Sequence, residues 1–505
     1  MSHQHSGRCA AATLLLVAAL CQLPSCGFIV FNDPDAETAP VTTAPEETDA
    51  LETTAPETTA APVETEAPVS AGEQARNRLD ALPYRDLDGA PVIVATVDDV
   101  TICPMDADDA AGAVRADSRR AVEEKFNTTI IANKTDTAAM LADVKTAINS
   151  GMYYADLMAI PLSSVGSFWA SGALGNMYTI PFANYDADYY HADVIAAAHA
   201  GKSLLAASGA ANFNPDYLNC VYFNRTLAES AGIGDLYALV REGGWTWDKL
   251  REFSMAAESN INGVTGLGSY AENADFIRLA SASFGIDFTS SSVNTVPEVN
   301  YLDHSSAADR ARAAVDTLYN ILYKDSAILT SRGNAVRSAF SGGTLLFSID
   351  TLDYIPEISD GKTEWGILPL PKYDIYQNDY LSPLPDDAPV FCVPANLTSV
   401  ENPGLILEGL NLAAADYVTD TWMNERINYH LRDSASISML DIILDDVSTD
   451  FANVWASGFT NLENATTKAI HNAITTKSTL DTLYKNYASS ANREISSKIT
   501  LPAYD

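Results

Sequence analysis

Between residues 91 and 161 short β-branched runs alternate with amphipathic segments, and this alternation leaves few folds open. Val92-Ile93-Val94-Ala95-Thr96-Val97 is bounded by Gly89-Ala90-Pro91 and Asp98-Asp99, which predicts a buried strand. A helix is expected over 114–126 and a strand over 129–131. A second helix comes next, with Met140, Leu141, Val144, Ala147 and Ile148 on one face and Gly151 as its stop. Asp156-Leu157-Met158-Ala159-Ile160 returns as a strand ending at Pro161. This β-α-β-α-β order requires a largely parallel sheet covered by helices, with a ligand crevice at the carboxyl ends of the strands. Loops 98–101 and 161–164 are therefore candidate pocket segments.

The second half repeats the theme. Asn219-Cys220-Val221-Tyr222-Phe223 and Thr344-Leu345-Leu346-Phe347-Ser348-Ile349 read as strands, and Ala311, Ala314, Val315, Leu318 and Leu322 line one helix face. Leu480, Leu483, Tyr484 and Tyr487 form another apolar stripe, with Ser478 as its expected cap. These stripes read as core.

At 505 residues the chain has room for two or three folded units. With 66 Asp and Glu against 30 Lys and Arg, it repels phosphate backbones, and nucleic acid is excluded as a partner. Residues 27–72 hold ten of the acids and no base, so residues 73–505 remain acidic on their own. Cys103, Cys220 and Cys392 have neither disulfide-framework nor zinc-site spacing and are expected to be small buried hydrophobes.

Residues 10–20 form an apolar run behind Arg8, the layout of a secretory signal, and are too short to span a ~30 Å hydrocarbon core. Leu23-Pro24-Ser25-Cys26-Gly27 comes directly after and resembles the bacterial lipobox, although Pro24 departs from the usual residue there. The resemblance implies a signal peptide over 1–25 and a diacylglycerol anchor on Cys26, placing the protein on the extracytoplasmic face of a cell membrane. The stretch 26–74 reads as a tether. It repeats Thr-Thr-Ala-Pro-Glu at 42–46 and 53–57, and its Pro and like charge keep it extended. At ~3.1 Å per residue it would reach on the order of 100 Å.

Several phrases stand in an order that resembles the family 1 extracellular solute-binding proteins of bacterial ABC importers, to which maltose-binding protein belongs. Val221-Tyr222-Phe223-Asn224-Arg225-Thr226-Leu227-Ala228-Glu229-Ser230-Ala231-Gly232-Ile233 is similar to the family's strand, Tyr-Asn-Lys-Asp and helix ending in Ala-Gly-Ile. Trp245-Thr246-Trp247-Asp248-Lys249-Leu250, the Ala339–Phe347 stretch and Trp365-Gly366-Ile367-Leu368-Pro369-Leu370-Pro371 match later phrases. Arg432-Asp433-Ser434-Ala435-Ser436-Ile437-Ser438-Met439-Leu440-Asp441 resembles a phrase of lipoprotein members. Gly343 and Lys249 depart from the family pattern. The resemblance implies an α/β, two-lobed periplasmic-binding-protein-like architecture of type II. The amino-terminal lobe would hold 75–212 and 390–430, and the carboxyl-terminal lobe 213–389 and 431–505. Crossings are expected near 211–219 and 387–394, with solute bound between the lobes and passed to permease subunits.

No metalloprotease, nucleophile-elbow or phosphate-loop motif occurs, and no cofactor is expected. Gly266-Leu267-Gly268-Ser269-Tyr270-Ala271 mimics half a dinucleotide fingerprint and reads as a turn. A binding protein is thus favoured over an enzyme, although the abundant carboxylates keep a lipid-anchored glycoside hydrolase open, and a wall-displayed adhesion module would also explain the tether. Sugar recognition needs aromatic faces with converging polar groups. Trp169, Phe213, Asn214, Tyr270, Asp350, Asp387 and Arg432 lie in or beside loops expected at the cleft. Trp247 is assigned to packing by its family phrase, while Trp245 stays open.

Overall fold

The computed structural model describes residues 70–102, 109–290, 295–325, 333–431, 433–476 and 478–499. The signal segment, the tether up to residue 69, Cys26, Cys103 and Arg432 lie outside the described residues. By contacts the chain divides into Met1–Glu66 and Ala67–Asp505, and the described fold belongs to the second of these units.

Eight strands build two four-stranded sheets: β1 Pro91–Thr96, β2 Thr129–Lys134, β3 Leu157–Pro161, β4 Asn219–Asn224, β5 Thr265–Ser269, β6 Leu345–Thr351, β7 Trp365–Leu368 and β8 Pro389–Cys392. The first sheet has the order β8-β3-β1-β2. Within it β1 runs parallel to β2 and β3, with Val92 beside Ile130 and Val94 beside Leu157, while β8 closes the far edge antiparallel to β3. The second sheet has the order β7-β4-β6-β5, with β5 parallel to β6 and β4 antiparallel to both of its neighbours. Each sheet centres one lobe.

Local sequence explains the elements. Asp109 caps Ala110–Phe126 by accepting the Gly112 amide at 2.6 Å, and Asn127 ends that helix in the left-handed region. Thr137–Ser150 is capped by Asp136 and stops at Gly151, whose φ of 68° is cheap only for glycine. β3 is apolar without alternation because helices cover both faces, and Leu157 to Ile160 are fully buried. Cys220 and Cys392, one in each sheet, are buried free thiols.

Three expectations need correction. The helix Ala71–Asp80, capped by Ser70, begins inside the stretch read as tether. Thr479, not Ser478, caps Leu480–Lys498, because its side chain reaches the Thr482 amide. Gly266 to Ser269, read as part of a turn, lie in strand β5. Their glycines answer to close packing: a Cβ on Gly266 would collide with the Ser254 backbone, and one on Gly268 would meet Leu345 at 2.9 Å. Phe451–Trp455, in the stretch assigned to the carboxyl-terminal lobe, packs on Leu162–Ser164 and Val165–Ala170 of the other.

Among the described residues the chain passes between lobes three times. It leaves the first sheet near Phe213, re-enters at β8, and leaves again after the helix Tyr417–Glu425, whose successor Ser434–Asp445 packs on β7.

Candidate functional site

The carboxyl ends of β1 and β6, one from each lobe, converge on the first crossing. Tyr217 donates its hydroxyl to Asp98, just past β1, at 2.9 Å, and lies 3.4 Å from the Thr101 hydroxyl. On the other side the Leu352 amide, just past β6, donates to the Leu218 carbonyl at 2.9 Å. This is where an open α/β sheet places its ligand crevice. Buried Arg115 fixes the segment from behind by donating to the carbonyls of Ala211 and Phe213. Burial lowers its pKa to about 10, against the charges of Tyr217, Asp98, Asp109 and Asp216.

The crossing is tied from a third direction. Asp216 accepts the Trp422 indole N–H at 2.8 Å and the Arg426 guanidinium at 2.7 Å. Asn214, expected from sequence as a ligand contact, spends its side chain on the Asp216 amide at 3.1 Å. Phe213 is buried, with His191 edge-on to its ring at 4.6 Å. Both residues shape the crossing.

At the mouth of β6 the structure brings together Tyr270 and Asp350. The residue that joins them, Arg337, carries no signal in the sequence. It donates to both Asp350 oxygens at 2.8 and 2.9 Å, to Asp353 at 3.0 Å and to Glu357 at 3.3 Å. Its guanidinium stacks between Tyr270, 4.2 Å from the ring centre, and Tyr354 at 4.5 Å. Burial works against the Arg337 charge, and the bonds and charge of Asp350 more than offset it, so its pKa rises. Burial also raises Asp350, partly countered by Arg337. No local pattern foretells a pairing between a helix and a strand end, so only the fold reveals it.

Trp169 and Asp387 do not join this group by any of their contacts. The Trp169 ring is half-buried against Trp455, 5.1 Å away and edge-on, and Phe459 at 5.6 Å. Asp387 is exposed in the second crossing, beside Asp386, which pairs with Arg278 at 3.1 Å. The loop 161–164 is closed over by the crossing, the Leu162 amide donating to Ala388 and Ser163 to Asp386.

A cavity of about 610 Å³ adjoins Phe213 between the loop 186–193, the start of Tyr417–Glu425 and residues 444–447. Asp188, Asp193, Asp420 and Asp446 are among its lining acids, and no Lys or Arg lines it. Burial, with Asp379, Asp445 and Asp193 nearby, pushes Asp446 up to about 6. With acids and no Lys or Arg in its lining, the cavity disfavours anions. Among the described residues no cluster of His, Cys, Asp and Glu could hold a metal ion, and no helix is long and apolar enough to cross a membrane.

Asp450 offers a pH-dependent test of the fold. It caps Phe451–Trp455 through the Asn453 amide at 2.8 Å, and burial, with Asp287 and Asp386 nearby, pushes it up to about 7. That lies above its ordinary 3.8, so its contribution to stability is full below about pH 4 and is lost as pH rises through about 7. Asp450→Asn should remove this loss, and its melting temperature should gain on the natural protein between pH 4 and 8. Parallel curves in calorimetry would show that Asp450 titrates normally.

No protein-family model matches the sequence, and no curated protein matches it. Solved structures do. UgpB from Mycobacterium tuberculosis, in complex with glycerophosphocholine, is similar at TM-score 0.52 and 14% identity, over 81% of this chain and 99% of that one. The GacH receptor of Streptomyces glaucescens, solved unliganded and with acarbose, is similar at TM-score 0.49 and 14% identity, over 81% of this chain and 98% of that one. The fold is that of the two-lobed solute-binding proteins.

Proposed function

We propose that this chain is the extracytoplasmic solute-binding component of an ABC importer, holding a small neutral hydroxylated solute such as a sugar or short oligosaccharide between its lobes. The observation that carries this reading is the convergence of β1 and β6, from separate lobes of a solute-binding fold, on Tyr217. Tyr217, Asp98, Thr101 and Tyr270 supply hydroxyls, carboxylate oxygens and an aromatic face, the groups that satisfy sugar hydroxyls and C–H surfaces. Around them Asp98, Asp216, Asp350, Asp353 and Glu357 outnumber Arg115, Arg337 and Arg426, which favours a neutral solute over a phosphodiester such as glycerophosphocholine. The solute is bound without turnover and passed to permease subunits.

A thermal-shift screen tests this reading with mono- and oligosaccharides, polyols, glycerophosphodiesters and peptides. A solute at 100 times its dissociation constant adds about 2.7 kcal/mol of stability. The expected pattern is a shift with a sugar that Tyr217→Phe and Asp98→Asn each reduce. A shift confined to phosphodiesters or peptides would contradict the solute class, and product formed from an oligosaccharide would favour a glycoside hydrolase.

The same reading includes Cys26 as a lipidated mature amino terminus, with residues 26–69 as the tether to the membrane. The support is the Leu23-Pro24-Ser25-Cys26 phrase behind an apolar run. The natural protein should partition into the detergent phase and Cys26→Ala should not become lipidated. Aqueous partitioning of the natural protein would refute anchoring.

A further inference from the structure

We propose that Phe451–Gly458 is a clasp that holds the two lobes together before any solute arrives, so that the resting protein is already closed along this edge. The contacts on the amino-terminal lobe are close and polar as well as apolar. The buried Trp455 indole donates to the Ala197 carbonyl at 2.8 Å, and its ring meets Trp169 edge-on and stacks on Phe451. Ser457 donates to the Ser163 carbonyl at 2.5 Å and accepts the Ser167 amide at 3.0 Å. Between them two glycines touch through their backbones. A Cβ on Gly166 would lie 2.6 Å from the Gly458 nitrogen, and one on Gly458 would lie 2.6 Å from the Gly166 oxygen. Neither position has room for any other residue without displacing backbone.

The other end of the clasp is fixed to the carboxyl-terminal lobe. Lys498 donates to the Gly458 carbonyl at 3.0 Å, and Glu494 accepts the Thr460 amide at 3.0 Å. Their helix, Leu480–Lys498, is held in turn by Tyr484, which donates to Asp303 at 2.7 Å. Rotation about the crossings must therefore part Gly166 from Gly458 or bend the chain near Phe459. Interlocked surfaces of this kind have discrete arrangements rather than a continuum. This inference stands on interlobe contacts alone and does not depend on which solute binds.

The test uses the unliganded full chain. Ser167→Cys/Ser457→Cys should crosslink on mild diamide oxidation, and the crosslinked protein should keep the radius of gyration of the untreated one in small-angle scattering. No crosslink, or a crosslinked form more compact than the untreated protein, would show that the lobes rest apart and overturn the clasp. Gly458→Val should enlarge the particle and speed amide exchange in 165–170 and 451–458 roughly tenfold, equivalent to about 1.4 kcal/mol of local contact. Unchanged exchange and dimensions in that variant would also overturn it. If Gly458→Val does not fold, the cysteine pair decides.

Discussion

Arg337→Ala should cost on the order of 3–5 kcal/mol of stability, because it strands a buried carboxylate. The Asp350 side chain is 0% exposed, and the guanidinium that neutralises it is only 13% exposed. Removing Arg337 also takes away the cation between Tyr270 and Tyr354 and leaves Asp353 and Glu357 facing Asp350 without a counter-charge. Urea unfolding at pH 7 reads the loss. The double change Arg337→Ala/Asp350→Asn should be less damaging than the single one, since no charge is then left unpaired. A single-variant cost below about 1 kcal/mol would mean that the group behaves as a screened surface pair, and this account of the β6 mouth would fail.

Asp216→Ala should have a comparable effect through a different route. Asp216 holds the first crossing to the helix Tyr417–Glu425 and the turn after it, by the Trp422 indole and Arg426. The Arg426 side chain is 6% exposed, and without Asp216 its remaining carboxylate is Glu425 at 3.8 Å. The expected loss is again about 3–5 kcal/mol, the range for a broken buried pair. Asp216→Asn keeps an acceptor for the indole and should cost less than Asp216→Ala. Red-shifted emission from Trp422 in the alanine variant would locate the damage. Equal stability of the two variants would show that hydrogen-bond acceptance contributes nothing here.

What could be read from sequence is what depends on near neighbours. β1, β2, β3 and the helices between them come from periods of two and 3.6 and from stops such as Gly151, all set within a few residues. The Gly266–Ser269 phrase misled because a pair of glycines looks the same whether it serves a turn or a strand under a close helix. Only the position of Ser254 distinguishes the two. Tyr270 and Asp350 can be placed beside strand ends from sequence, whereas Arg337 lies on a helix and gains its meaning only when that helix packs. Trp169 borders the expected crevice, but its ring contacts are Trp455 and Phe459, nearly three hundred positions away in the chain.

The order of strands along the chain also sets the order in which the molecule can be completed. The second sheet draws β4 to β7 from one uninterrupted stretch, residues 219–368, whereas the first must wait for β8 at Pro389–Cys392. Until that strand is in place β3 carries a bare edge, the feature that invites pairing with other chains. Closing it demands a contact between distant parts of the sequence, and such contacts form slowly. The sheet that begins first is thus the last to be closed, and a ribosome releasing this chain holds an adhesive half-sheet until residue 392 emerges.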